Sequence, residues 1–146
     1  LINIEEMITG IQEAYQKYDL VFDATKQVVH TSSHYEKSYP QFLEYFKNHR
    51  HDLVFTSYDK EAVAVVNAAI DNGIEIPDEM EVIGMMNTSY ALICRPSLTS
   101  IHVPVYDMGA LAVRLLTKIL NDEEIENKAV VIQHLLMPRA TTKKDF

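Results

Sequence analysis

The sequence is poor in several residue types that carry chemistry. It has one cysteine, four glycines and five prolines in 146 residues. A lone cysteine, Cys94, cannot form an internal disulfide and fits a reducing, cytoplasmic setting. With so few glycines there is no GxGxxG turn and no Walker loop to cradle phosphate, and no GxSxG elbow is present. No apolar run approaches the roughly 20 residues that cross a bilayer, so no membrane association is expected. No charged-then-apolar leader opens the chain, which starts at Leu1 rather than Met and reads as a piece of something longer. Basic residues are scattered, with only Lys143 and Lys144 adjacent, and the formal net charge is −8. Duplex DNA is bound by clustered Lys and Arg that displace counterions, so this chain by itself is not expected to bind nucleic acid. Six histidines are present. Only His49 and His51 lie close together, and a His-x-His pair at a helix end reads as solvated surface. No metal site and no cofactor are expected.

What is present is the composition of a globular domain: 47% hydrophobic and 23% charged residues, enough to bury a core without metals or disulfides. Helical and strand signals alternate. Ile4, Met7, Ile8, Ile11, Ala14 and Tyr15 form a helical stripe. Residues 27–31 read as a short β-branched strand, and residues 39–48 as a helix with Pro40 in its first turn. Residues 52–57 read as a buried strand, followed by an apolar-rich helix to Asp71 that ends at Asn72-Gly73. Residues 81–85 and 97–102 read as further strands. Asp107 stands where it could cap a helix to Leu120, and residues 129–137 read as a last strand before a polar tail. Strands alternating with helices imply βαβ units and an α/β, doubly wound parallel sheet. The continuous apolar character of 53–56 and 82–85 marks them as central, buried strands.

In such sheets ligands bind beyond the carboxyl ends of the strands, which directs attention to Ser33, Tyr58, Asp59, Met86 and Asn87. Asp59 is either a helix N-cap or, less in keeping with its surroundings, a catalytic acid of a doubly wound enzyme domain. Cys94 has no histidine placed to activate it and reads as a small core or interface residue. Met85 and Met86 read as core filler.

From Asp52 to Thr142 the sequence resembles the C-terminal half of LacI/GalR-type regulators. The resemblance is carried by AAIDNGIEIPDEMEVIG at 68–84, RPSLTSI at 95–101, YDMG at 106–109 followed by AVRLL at 112–116, and PRATT at 138–142, in the family's order and spacing. Arg95-Pro96 and Tyr106-Asp107 lean toward the catabolite control branch. Residues 1–51 match mainly through MITG at 7–10.

The resemblance implies a type I periplasmic-binding-protein-like fold, two lobes around a ligand cleft, of which this chain supplies mostly the C-terminal lobe. Residues 1–101 would belong to that lobe, residues 102–131 to a crossover helix segment of the other lobe, and residues 132–146 to a return strand and tail. It implies a cytoplasmic effector-binding and dimerising part of a transcription regulator, without catalysis, whose operator DNA is held by a separate head. The alternatives are a solute-binding protein of the same fold and the enzyme domain using Asp59. The family alignment places ligand contacts at Met7, Ser33, Tyr58, Met86 and Asn87. It places a homodimer interface at Val63, Val66, Asn67, Ile70, Tyr90, Ile93 and Cys94. Arg95 aligns with an arginine that serves a phosphocarrier-type protein corepressor in the catabolite control branch. Sugar-binding members carry an arginine at the position of Met7 and an aspartate at that of Met86. The loss of both weakens the case for a sugar effector.

Overall fold

The computed structural model describes residues 4–32, 34–125 and 129–143. The elements in chain order are α1 (Ile4–Lys17), α2 (Ala24–Gln27), α3 (Tyr35–Tyr45), β1 (Leu53–Phe55), α4 (Asp59–Asp71), β2 (Glu81–Met85), α5 (Ser89–Ile93), β3 (Thr99–His102), α6 (Val105–Leu120) and β4 (Leu135–Met137). The strands form one sheet in the order β1-β2-β3-β4. β1, β2 and β3 are parallel, and β4 returns antiparallel beside β3. The sheet is therefore mixed rather than purely parallel.

The core lies where α3 and α4 pack on each other and α4 packs on β2. Alanines at 62, 64, 68 and 69 let α4 approach closely, while Val65, Val66, Phe42 and Phe46 fill the space between the elements. Such close-packed burial is the main favourable term in holding the lobe together. Gly73 ends α4 at φ +73°, the left-handed conformation that glycine adopts without a Cβ penalty.

Several expectations change on contact with the structure. Residues 27–31 form no strand: α2 ends at Gln27, and the chain beyond it is irregular. β1 is accordingly an edge strand, not a central one, with Leu53 51% exposed. Pro40 lies inside α3, which begins a full turn earlier than the sequence suggested. Asp107 does not cap α6; Pro104 holds the N-cap position and Asp107 falls in the first turn. The last strand is confined to Leu135–Met137. The tail is not a solvated appendage either. Thr141 and Thr142 are buried. Thr141 Oγ1 donates to the Val82 carbonyl (2.7 Å) and accepts from Thr99 N–H (2.8 Å), so the tail stitches β2 to the start of β3.

Neither α1 nor α6 buries a residue. Along α6, Val105, Met108, Leu116 and Ile119 stand exposed on one side. A stripe of that width and period belongs against another apolar surface.

Candidate functional site

The carboxyl ends of β1 and β2 open onto a recess of about 330 Å³ lined by Tyr58, Asp59, Lys60, Met86, Thr88 and Tyr90. Tyr58 is the N-cap residue of α4, held in extended backbone. Met86 and Asn87 follow β2 with φ of 97° and 51°. Neither is glycine, and a side chain in that region is strained by about 1–3 kcal/mol, a cost that recurs where a loop must aim its residues at a ligand. The turn is held from below. Asn87 N–H donates to Ser100 Oγ (3.0 Å), and Arg139 donates to Asn87 Oδ1 (2.5 Å) and to the Leu98 carbonyl (2.7 Å).

Asp59 is not the helix cap that its position suggests. It is the first residue of α4, 1% exposed, and its carboxylate reaches across the sheet. Oδ2 accepts from Thr88 N–H (2.5 Å) and Thr88 Oγ1 (2.8 Å), and Oδ1 accepts from Ser100 Oγ (2.5 Å). Gly84 lies directly beneath: a Cβ there would sit 2.5 Å from Asp59 Oδ1 and 2.8 Å from Leu98 Cδ2. This lock joins α4, the α5 entry and β3. A carboxylate so enclosed and so fully engaged has nothing left for a substrate. Sequence reading saw an aspartate after a strand but could not see Ser100 and Thr88 converge on it. Arg139 was missed for the same reason.

The other family-aligned positions divide. Tyr58 and Met86 share the recess, and Asn87 lies beside it. Met7 lines a different and larger cavity, about 860 Å³, between α1, residues 28–31 and the sheet. Ser33 lies outside the described residues. Of the dimer candidates, Val66 and Cys94 are core residues, 0% and 3% exposed. Burial pushes the Cys94 thiol up, against a nearby Arg95 that lowers it, which disfavours the thiolate. Asn67 is half-buried and donates to Tyr35 Oη (2.9 Å), and Val63 packs against the core. Ile70, Tyr90 and Ile93 are exposed, together with Leu92. Arg95 is exposed and donates to the carbonyls of Leu92 and Cys94. Among the described residues no group of histidine, cysteine and carboxylate side chains is placed to hold a metal, and no helix is long and apolar enough to cross a membrane.

The two neighbouring histidines are not simply a solvated pair. His49 stacks on Tyr45 at 4.0 Å between ring centroids, and His51 Nε2 lies 2.8 Å from Tyr45 Oη. Partial burial lowers the His51 pKa from 6.5; His49 adds to the shift and Asp52 opposes it. The unfolded chain then binds more protons than the folded one between the lowered value and 6.5. Stability is fully present above about pH 7 and falls as the pH drops through 6.5. Urea midpoints at pH 7.5 and 5.5 should differ, and His51→Gln should shrink the difference. The effect should stay below about 1 kcal/mol because the ring is only part-buried. An unchanged difference in the variant would assign the slope elsewhere.

Residues 3–142 match the periplasmic binding protein-like domain family, and the chain belongs to it. Within that family it is homologous to catabolite control protein A and to LacI-family transcription regulators. It is 35% identical over 139 residues to the Staphylococcus aureus (strain MRSA252) catabolite control protein A, covering 95% of this chain and 42% of that protein. The Staphylococcus epidermidis (strain ATCC 12228 / FDA PCI 1200) protein is 32% identical over the same share. The crystal structure of the transcription regulator CcpA of Lactococcus lactis superposes with a TM-score of 0.81 at 31% identity, over 95% of this chain and 51% of that one. A LacI-family regulator from Lactobacillus casei with bound sucrose shares the fold at 19% identity and a TM-score of 0.76. The chain spans about half the length of the relatives it matches.

Proposed function

We propose that this chain is the effector-binding and dimerising part of a LacI-type DNA-binding regulator that acts in the cytoplasm. The observation that carries the reading is the match over 95% of the chain, in sequence and in fold, to a transcription regulator about twice as long. Operator DNA would be read by a separate head, because the basic residues of this chain of net charge −8 are scattered along the sequence rather than clustered. No catalysis is assigned, since Asp59, the best candidate acid, is consumed by the lock described above. The exposed apolar stripe of α6 supports assigning residues 102–131 to a second lobe, with residues 132–146 returning to the first. The reading frame upstream of Leu1 in the parent gene should encode a helix-turn-helix followed by a hinge. A secretion signal there instead would favour a solute-binding protein.

Dimerisation would use the exposed residues Ile70, Tyr90 and Ile93, with Leu92 between the last two. Ile93 is 65% exposed, so a charge there does not disturb the core. Ile93→Lys should weaken self-association about tenfold or more with an unchanged thermal midpoint. Sedimentation equilibrium checks this, and a wild-type chain that stays monomeric at high concentration would remove the dimer from the proposal.

On the effector side, Tyr58, Met86 and Tyr90 line the recess together with Lys60 and Thr88, and its one carboxylate, that of Asp59, is already engaged. A free sugar needs charged partners for its hydroxyls, and forgoing the one that an aspartate at the Met86 position would supply costs about tenfold or more in affinity. Calorimetry of the intact regulator against mono- and disaccharides should show no binding in the micromolar range. Micromolar binding lost on Tyr58→Ala would restore the sugar site. Control would then rest on a less polar ligand or on a protein partner. Arg95, exposed and carrying a planar fork suited to phosphate oxygens, is the candidate contact for a phosphocarrier-type corepressor.

A further inference from the structure

Asn72-Gly73 is the one Asn-Gly pair in the sequence, and such a pair has a chemistry of its own. The Gly73 nitrogen can attack the Asn72 side-chain carbonyl carbon, an approach that a glycine, having no Cβ, leaves open. A bond forms between that nitrogen and Cγ, the bond from Cγ to Nδ2 breaks, and Nδ2 leaves as ammonia with the proton that Gly73 gives up. Water then opens the cyclic imide at one of its two carbonyls. Opening at one gives aspartate. Opening at the other gives isoaspartate, whose backbone runs through Cβ. Water is the only co-reactant, and mild alkali speeds the attack by taking the proton from the nitrogen.

The fold opposes each part of this step. Asn72 is the C-cap residue of α4, at ψ 9°. At that angle the Gly73 nitrogen is nearly eclipsed with the Asn72 nitrogen and turned away from the side chain. Gly73 N–H donates to the Ile70 carbonyl (2.9 Å) and Ile74 N–H to the Ala69 carbonyl (3.0 Å), which fixes the turn. The side chain is fixed as well. Asn72 Nδ2 donates to the carbonyls of Leu43 (3.0 Å) and Ala68 (2.8 Å), so both of its N–H groups are engaged. Leu43 stands in the last turn of α3, where carbonyls lack a donor further along the helix. Asn72 therefore ties the end of α3 to the end of α4, the two helices whose packing forms the core. Gly73 itself is exposed, so water reaches the pair once the tie is broken.

We propose that Asn72 is a modification site gated by the fold: the intact α3–α4 junction keeps it unreacted, opening of the junction lets deamidation proceed, and the product cannot remake the junction. An ionised aspartate has no N–H to donate. It would set a carboxylate against the Leu43 and Ala68 carbonyls, one residue from Asp71. Asp71 already accepts from Tyr39 Oη (2.5 Å), another bond from α3 to the end of α4. Isoaspartate adds a backbone atom just before a residue that must hold φ +73°. A transient opening is thereby turned into a permanent change, and the pair sets how long a partly unfolded chain stays able to refold.

Timed incubation of the chain at mildly alkaline pH, in native buffer and in urea, followed by peptide mapping, tests the gate. In urea Asn72 should be modified faster than any other asparagine. In native buffer the same residue should react about tenfold more slowly or less, because reaction then waits on local opening. Equal rates in the two media would overturn the gate, and an Asn72 that stays intact in urea while Asn67 or Asn121 reacts would overturn the site. The product is tested separately. The urea midpoint of Asn72→Asp should lie below that of Asn72→Ala, since alanine only withdraws the donors whereas aspartate also repels the two carbonyls. Should neither variant fold, the wild-type chain still decides. After a long urea incubation and refolding, the modified molecules should be those that a protease degrades under native conditions. Modified molecules that regain full resistance, or an Asn72→Asp chain as stable as Asn72→Ala, would overturn the claim that the junction cannot be remade.

Discussion

Replacing Asp59 by alanine should destabilise the chain by about 3–5 kcal/mol, the largest single-residue loss expected outside the apolar core. The carboxylate is 1% exposed and accepts three hydrogen bonds. Its removal strands two donors. The Thr88 N–H starts α5, and the Ser100 hydroxyl is buried in β3. Each buried donor left without an acceptor costs about 1–3 kcal/mol. The Thr88 hydroxyl sits on an exposed residue and can turn to water, so it adds little. Asp59→Asn keeps the volume and one acceptor oxygen, but turns an amide NH₂ toward a donor. It should lose about half as much. Urea unfolding at pH 7 measures both. A loss below about 1 kcal/mol for Asp59→Ala would mean that α4, α5 and β3 are held together by packing alone.

Gly84→Ala should cost about 3 kcal/mol for the addition of a single methyl group. The added carbon would meet Asp59 Oδ1 at 2.5 Å and Leu98 Cδ2 at 2.8 Å. An oxygen at the end of a free side chain would swing aside. This one is tied to Ser100, and Leu98 is fully buried. The two substitutions should therefore couple. In the Asp59→Ala background the clash loses its main partner, and Gly84→Ala should cost less than half as much, a departure from additivity of about 1–2 kcal/mol. Strictly additive losses would show that the strain at Gly84 falls on Leu98 instead.

The family's motifs made much of the lobe legible before any coordinates. The apolar run at 82–85 could only be a buried strand, and it is β2. Asn72-Gly73 marked the end of α4, where the structure needs a positive φ. The apolar-rich run to Asp71 read as a helix, and α4 buries its alanines at 62, 64, 68 and 69. Residues 27–31 misled for a definite reason. β-branched composition reports that a segment suits a sheet, while the ladder also requires an adjacent strand, and none of the described residues fills that place. The candidate site was legible only in part. Tyr58 and Met86 follow consecutive parallel strands and so meet in one recess. Val66 and Cys94 were drawn into the dimer face because a family alignment gives positions without saying what lies against each side chain in this chain, and both are buried.

The sequence by itself determined what local chemistry decides: where the longer helices and the strand at 82–85 lie, that the chain can bury a core, that it lacks a disulfide framework and a phosphate loop, and which family its motifs resemble. Only the tertiary structure decided what depends on atoms far apart in the chain. Asp59 became a lock because Thr88 and Ser100, 29 and 41 residues away, reach its two oxygens. Thr141 became part of the sheet because Val82 and Thr99 bracket it. Met7 and Met86 parted into separate cavities because α1 and the β2 turn lie apart once the strands are ordered. Hydrophobic period and turn chemistry act over a few residues and can be read along the chain. The partner of a buried polar group is chosen by the fold, where the cost of leaving that group unpaired is imposed.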